Sequence, residues 1–402
     1  MAIKDNMQRI NTDELDIGMQ VLELDRPWVE SPFTVHGFKI KSPHELRALR
    51  ECCKYVYIVA KPKADATGAK LQPRRKYKDK LTVQQAMPMA ISAHRQARSV
   101  VKGYLKNLRL GQDFDVNGAK QAVKECVNSV IANRDAILWL TLLKNVDEYT
   151  AEHSLNVGLL SIVLGRAEGL APSDLETVGL CGILHDMGKS EIPLDILNKE
   201  GAFSDREFEI MKSHTTKGYR ILSKKADVTQ AAAEVAYSHH ERLNGRGYPR
   251  GLAADDISYF TRIVAIADTY DAITSKRVYS SARNAQDALA ILIGAKGSHY
   301  DANLVDRFVA SMGVYPAGSI AELSTKEIGI ILPTAMDKQN TPRVLVVRDS
   351  NKEKCTERII DLSEEPIDKK GKPIKVYHLL SDGIFGINLQ KYHEKITKSG
   401  EL

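Results

Sequence analysis

Histidine is the side chain best suited to holding a transition metal or moving a proton near neutral pH, because its ordinary pKa lies close to 6.5. Of the eleven histidines in this 402-residue chain, five (His153, His185, His214, His239 and His240) fall between positions 153 and 240, and Asp186 and Asp268 accompany them. Taken singly, each histidine reads as an ordinary core or surface residue, and Asp268 as a cap or the partner of an arginine. Taken together they supply seven nitrogen and oxygen donors, more than one tetrahedral zinc needs and a number suited to two metals. The constellation predicts a binuclear metal site.

The pattern around these residues says how they are positioned. His153 follows Tyr149 by four and precedes Val157, Leu160 and Leu164, so it sits on the inward face of an apolar-striped helix, where an imidazole needs a partner. His185 and Asp186 close the stretch Leu175 to Leu184, a helix apolar on nearly every side; a buried ionisable pair there is costly unless it binds a cation. His214 shares a helical face with Phe208, Met211 and Gly218, and His239-His240 ends another helix just before a polar, glycine-rich loop. Asp268 lies one turn from Val264 and Asp271 on the largely apolar stretch Ile263 to Ile273.

The elements that carry these residues belong to a region, 136–314, that reads as helical almost throughout, punctuated by Pro172, Pro193, Gly201, the Gly245 to Gly251 loop and Gly297. Ser173-x-x-Glu176 and Ser204-x-x-Glu207 have the form of capping boxes. A helical lead-in over 82–135 opens with Thr82-x-x-Gln85 and shows apolar periodicity through Leu110 and again from Asn117 to Ile131; Pro88 predicts a late start or a kink. Residues 1–60 combine alternating apolar segments (Met19, Val21, Leu24; Tyr55 to Ile58) with a helical stretch from His44 to Cys52, the pattern of a small α+β domain. Residues 61–81 have linker composition. Residues 315–402 carry short β-rich runs at Ile328 to Leu332, Arg343 to Val347, Arg358 to Leu362 and Val376 to Leu380. The predicted fold is mainly α: an all-α catalytic domain with a small α+β N-terminal domain and a short β-rich C-terminal region.

Composition narrows the class further. With 43% hydrophobic and 27% charged residues the chain is an ordinary globular protein. The densest apolar run, Ile137 to Leu143, is too short to span a bilayer and is interrupted by Thr141, and the N-terminus lacks a secretory apolar stretch, which predicts a cytoplasmic protein with no membrane partner. Five scattered cysteines without a CxxC pair read as reduced and structural. A net charge of +6, densest at Arg74-Arg75-Lys76-Tyr77-Lys78 in linker composition, predicts a solvated linker with no DNA contact and favours a small anionic substrate.

Over roughly residues 145–310 the order H…HD-x-G-K…H…HH-E…G-x-G-Y-P…D-x-x-D-A resembles the HD-GYP family of cyclic dinucleotide phosphodiesterases. The matching residues are Asp147-Glu148-Tyr149-Thr150-x-x-His153, His185-Asp186-Met187-Gly188-Lys189, Pro193-x-x-Ile196-Leu197-x-Lys199, His214, His239-His240-Glu241-Arg242, Gly247-Tyr248-Pro249 and Asp268-x-x-Asp271-Ala272-x-Thr274. The resemblance implies metal-dependent hydrolysis of a cyclic dinucleotide, cyclic di-GMP by default or the mixed 3′,3′-cyclic GMP–AMP, to a linear dinucleotide or to mononucleotides. It implies that His153, His185, Asp186, His214, His239, His240 and Asp268 hold two divalent metals, iron or manganese, with Asp186 bridging. Tyr149 stands where some members carry a glutamate for a third metal, so two are expected here.

The same resemblance makes Lys189 a catalytic group beside Asp186, able to neutralise phosphoryl charge and protonate the leaving oxygen. Lys189, Arg277, Tyr248 and Asp271 are the substrate-side residues it implies, with Asp271 also suited to orienting a ligand or the Lys189 head. After Arg277 the chain reads Val278-Tyr279-Ser280 where the family has proline, tyrosine and a basic residue, and Asn244 replaces the family's usual aspartate. The Asn244 to Pro249 loop is either a plain turn or a surface on which Tyr248 stacks against a base or a partner protein. Leu15-x-x-Gly18-Met19-x-Val21-x-x-Leu24-Asp25-x-x-Trp28 resembles a small domain that often precedes HD-GYP domains, which implies a regulatory role or a signalling-protein partner. A cyclic dinucleotide receptor without activity, and an HD-superfamily hydrolase of another nucleotide, are the competing readings.

Overall fold

In a computed structural model of the chain, the described residues are 7–33, 37–59, 74–141, 149–275, 284–333, 340–381, 383–389, 391, 392 and 395. The chain divides into two compact units, residues 1–66 and 67–402.

The first unit is a four-stranded antiparallel sheet in the order β1-β4-β2-β3, built from β1 (Met7–Asn11), β2 (Gln20–Leu24), β3 (Phe38–Lys39) and β4 (Tyr55–Val59), with one helix, α1 (Pro43–Cys52). The start of α1 is set by Ser42, whose side chain accepts from the Glu45 N–H while the Glu45 carboxylate accepts from the Ser42 N–H, and by Pro43 at the first helical position. Val21, Leu24, Ile40, Leu49, Val56 and Ile58 form its core. This is the α+β domain the apolar alternation predicted.

The second unit opens with α2 (Val83–Arg109), α3 (Val116–Ala132) and α4 (Arg134–Leu140), which pack on two central helices, α5 (Tyr149–Glu168) and α6 (Pro172–Leu184). Around these lie α7 (Leu194–Leu197), α8 (Asp205–Lys212), α9 (His214–Ser223), α10 (Gln230–Ser238), α11 (Tyr259–Thr274), α12 (Ala285–Gly294) and α13 (Ala302–Met312). The two central helices meet backbone to backbone: a Cβ on Gly182 would stand 2.7 Å from the Gly158 Cα. Glycine at both positions is what lets α6 deliver its C-terminal end beside the start of α5.

Three expectations are corrected at this level. Of the late start or kink expected at Pro88, the late start does not occur: α2 begins at Val83, because the Thr82–Gln85 capping box forms and the first turns bury Ala86, Met87 and Ala90, which outweighs the missing proline N–H. Ser173 does not cap α6; Pro172 occupies the first helical position, where its fixed φ and absent N–H cost nothing, and Ala171 is the cap residue. Phe208 and His214 do not share one helical face, since Ser213 divides α8 from α9, leaving Phe208 45% exposed and His214 buried. The Ser204–Glu207 box forms as expected.

The C-terminal region is a five-stranded antiparallel sheet, ordered β8-β7-β6-β5-β9, from β5 (Ile320–Leu323), β6 (Ile328–Ile331), β7 (Arg343–Arg348), β8 (Lys354–Asp361) and β9 (Val376–Leu380). One face joins the helical core through Ile320, Ile328, Ile330, Leu345 and Val347, and the other builds a small core from Ala321, Leu323, Val344, Val346 and Leu379. Burial on both faces explains why β6 and β7 read as continuous apolar runs without alternation. Among the described residues no helix is long and apolar enough to cross a membrane.

Candidate metal centre

Five elements converge on one point. His153 comes from the first turns of α5, His185 caps the C-terminal end of α6 with Asp186 after it, His214 is the first residue of α9, His239 caps α10 with His240 following, and Asp268 and Asp271 lie on α11. All are buried except His240, whose side chain is 28% exposed. The turn after Asp186 can lie flat against α9 because residue 188 is glycine: a Cβ there would fall 1.9 Å from the His214 carbonyl oxygen.

The imidazoles are oriented by their Nδ1 atoms. His185 Nδ1 donates to the Gly182 carbonyl (2.7 Å), His214 Nδ1 to Met211 (2.6 Å) and His239 Nδ1 to Ala236 (3.1 Å), while His153 Nδ1 donates to Asp271 Oδ2 (2.8 Å). Each Nε2 is thereby turned inward, toward Asp186. Its Oδ2 lies 3.3 Å from His185 Nε2 and 3.6 Å from His153 Nε2; its Oδ1 lies 3.5 Å from His214 Nε2 and 3.7 Å from His239 Nε2. Asp268 completes the first side, with Oδ1 3.1 Å from His153 Nε2, and reaches His240 Nδ1 from Oδ2 at 3.9 Å.

These distances suit a cation better than they suit the side chains alone. The Nε2 atoms of His214 and His239 face each other at 3.2 Å. With both Nδ1 atoms committed as donors, two neutral rings point lone pairs at one another, an arrangement a cation between them relieves. His185 Nε2 and Asp186 Oδ1 are buried without a hydrogen-bond partner. Three groupings, His153–His185–Asp268, His185–Asp186–His239 and His214–His239–His240, each gather their donor atoms within 4.8 Å. The donor set of imidazole and carboxylate fits a divalent transition metal.

Titration follows from the same packing. Burial lowers His214 to about 4 and His240 to about 3, and with the neighbouring histidines holds His239 well below its ordinary range. These three are ready as neutral ligands. Burial also works against charge on His153, but Asp268 and Asp271 outweigh it and raise that group to about 9 in the absence of a cation. Burial opposes the Asp186 charge too, yet His185 and Lys189 hold its carboxyl well below the usual range; Asp268 is held down in the same way by His153. A cation held by His153 would therefore displace a proton.

The substrate-side residues are distributed unevenly. The Lys189 ammonium is ion-paired with Asp186 and 20% exposed. Tyr248 lies against His240, ring centroids 4.7 Å apart. Arg277 falls outside the described residues. Asp271 is buried, and its oxygens hold His153 Nδ1, Asn156 Nδ2 (3.0 Å) and the Ser275 hydroxyl (3.0 Å).

Several positioning residues were missed from sequence. Asn156, one turn beyond His153, holds Asp271. The loop is fixed by Glu241, which accepts from the backbone N–H groups of Arg250 (2.7 Å) and Leu252 (3.0 Å), and by Arg250, ion-paired with Glu234 and lying over the Tyr237 ring. Gly245 N–H donates to the Arg242 carbonyl (2.9 Å) and Arg246 N–H to the Asn244 side chain (3.0 Å), so the loop is a built turn. Glu241 stood in the His-His-Glu motif, but its hold on the loop backbone had no signal in the sequence, and Asn156 and Arg250 showed only as polar residues.

Comparison with known proteins agrees with this geometry. The HD domain family matches residues 140–304, and a domain family of unknown function matches residues 7–119. The chain is 34% identical over 369 residues to a cyclic di-GMP phosphodiesterase of Pseudomonas aeruginosa, with 89% of each protein covered. A cyclic di-GMP phosphodiesterase of Thermotoga maritima is 38% identical over 175 residues, 42% of this chain and 48% of the relative. A 3′3′-cGAMP-specific phosphodiesterase of Vibrio cholerae is 38% identical over 158 residues, 39% of this chain and 30% of that protein. Similarity along nearly the whole length, joined to a buried histidine–aspartate cluster in the HD region, shows that this chain belongs to the HD-GYP family of HD-domain phosphodiesterases.

Proposed function

We propose that the seven side chains hold two divalent cations, iron or manganese, and that the protein uses them to hydrolyse a cyclic dinucleotide, cyclic di-GMP first and mixed 3′,3′-cyclic GMP–AMP as the alternative. The observation that carries this is the central position of Asp186, whose two oxygens face two different pairs of imidazoles. His153, His185 and Asp268 would hold one cation and His214, His239 and His240 the other, with Asp186 available to both. A bound pair of such ions supplies an activated water and offsets negative charge on the phosphoryl group.

The chain's own residues do the rest. Lys189 binds a phosphoryl oxygen and passes a proton to the leaving 3′ oxygen, which forms the linear dinucleotide. Tyr248 closes one wall beside His240, and burial pushes its hydroxyl above the ordinary range, so it stays protonated as a donor. Arg277 is assigned to the phosphate, and the N-terminal domain or the Gly-Tyr-Pro loop to a signalling partner. The relatives named for cyclic di-GMP and for 3′3′-cGAMP support both substrates. We place the activity in the cytoplasm.

The test is hydrolysis of cyclic di-GMP and of cyclic GMP–AMP by protein loaded with manganese or ferrous iron, followed by chromatography of the products. Cleavage is expected, reduced more than about 100-fold in Asp186→Ala. Intact substrates beside two bound ions would replace the enzyme with a receptor, and cleavage of nucleoside triphosphates alone would indicate a different hydrolase.

A further inference from the structure

Helix α8 lies beside the loop that carries Tyr248, and none of its residues is buried. Phe208, on this helix, is 45% exposed and meets Tyr248 edge to face, with centroids 6.3 Å apart at 76°. Tyr248 in turn lies 4.7 Å from the His240 ring at 34°. Two ring-to-ring steps thus lead from a predicted metal ligand to a half-exposed phenylalanine ring. One turn along α8, Lys212 places its ammonium 5.2 Å from the Phe208 centroid and 5.7 Å from that of Tyr248. Its side chain is 25% exposed and its partner Glu209 (2.5 Å) is 69% exposed, so the ammonium keeps donors for a further acceptor.

An aromatic ring held by a neighbouring ring and half exposed is suited to stacking, and every nucleobase offers a π-face. A lysine beside it adds a directional element. The edge of guanine that carries O6 and N7 presents two acceptors, whereas adenine places an amino donor beside N7. An ammonium group has donors only and therefore discriminates between them.

We propose that Phe208, Tyr248 and Lys212 form the seat of one base of the cyclic dinucleotide, with the base stacked on Phe208 and Lys212 reading guanine. This rests on the cyclic dinucleotide reading above. It makes α8, outside the metal ligands, the element that sets base preference.

The test compares wild type with Phe208→Ala, Phe208→Trp and Lys212→Met, each loaded with manganese, on cyclic di-GMP, cyclic di-AMP and the base-free diester methyl p-nitrophenyl phosphate. Phe208→Ala is expected to raise the KM for cyclic di-GMP about tenfold, with kcat falling less, and with a loss at least about fivefold greater than on the base-free diester. Phe208→Trp should restore KM. Lys212→Met should reduce the preference for cyclic di-GMP over cyclic di-AMP about tenfold. A KM within about twofold of wild type, an equal loss on the base-free diester, or an unchanged base preference overturns the proposal. Should wild type cleave no cyclic dinucleotide, the functional reading falls, and calorimetry decides the seat separately. Binding of cyclic di-GMP about tenfold weaker in Phe208→Ala would support it, and equal or absent binding would overturn it.

Discussion

Asp271 is buried, and its carboxylate decides where His153 points. Its carboxylate holds His153 Nδ1 at 2.8 Å and is itself fixed by Asn156 and Ser275. Loss of such a partner weakens metal binding by roughly 10- to 100-fold in comparable sites. Asp271→Asn is therefore expected to lower manganese affinity at least about tenfold in a direct titration, with activity largely recovered at saturating metal. Wild-type affinity in the variant would show that His153 needs no such support. The seven donors were legible in the sequence because a buried imidazole or carboxylate on an apolar helix has few physical explanations. Asn156 and Arg250 were not, because an amide or guanidinium turned toward a distant partner looks in sequence like one turned toward water. Asn156 and Asp271 are 115 positions apart.

Helices were legible where a local signal set their ends and obscure where packing did. Thr82 and Ser204 announced their helices, but Ser173 was displaced by Pro172, and the break at Ser213 between α8 and α9 leaves the apolar period almost undisturbed. Strands β1, β3 and β5 are short, and their pairing, not their sequence, defines them. Helix α2 carries a measurable consequence of burial. His94 lies on its inner face, where burial and then the nearby Arg98 charge lower it to about 4. The unfolded chain takes up this proton near pH 6.5 and the folded protein resists it, so the stabilisation is complete above 6.5 and is lost as the pH falls toward 4. Between pH 7.5 and 5 this one group accounts for about 2 kcal/mol. In His94→Leu the fall in melting temperature between those two pH values should be smaller than in wild type. An equal fall would mean that His94 titrates normally in the folded protein.

At the scale of the whole molecule, the linker composition of residues 61–81 concealed a fastening. The described part of that segment is tied to the end of α5 remote from His153. Arg75 N–H donates to the Gly169 carbonyl (2.8 Å), the Tyr77 hydroxyl donates to Leu170 (2.7 Å), and Arg74 pairs with Glu168 (3.1 Å). The basic run is solvated at Arg74, whose side chain is 70% exposed, and anchored at Tyr77, whose single aromatic was hidden among lysines and arginines. The domain family of unknown function spans residues 7–119, so it takes in the small sheet unit, this fastening and the start of the helical unit. What the whole arrangement serves is a carboxylate placed between two sets of imidazoles. The most direct test is therefore the manganese content of the full chain, after reconstitution and removal of free ion, in wild type and in Asp186→Ala. About two ions per wild-type chain and fewer than about one in the variant are expected, because the removed ligand is common to both. At most one ion in wild type, or two retained in the variant, would contradict a shared Asp186.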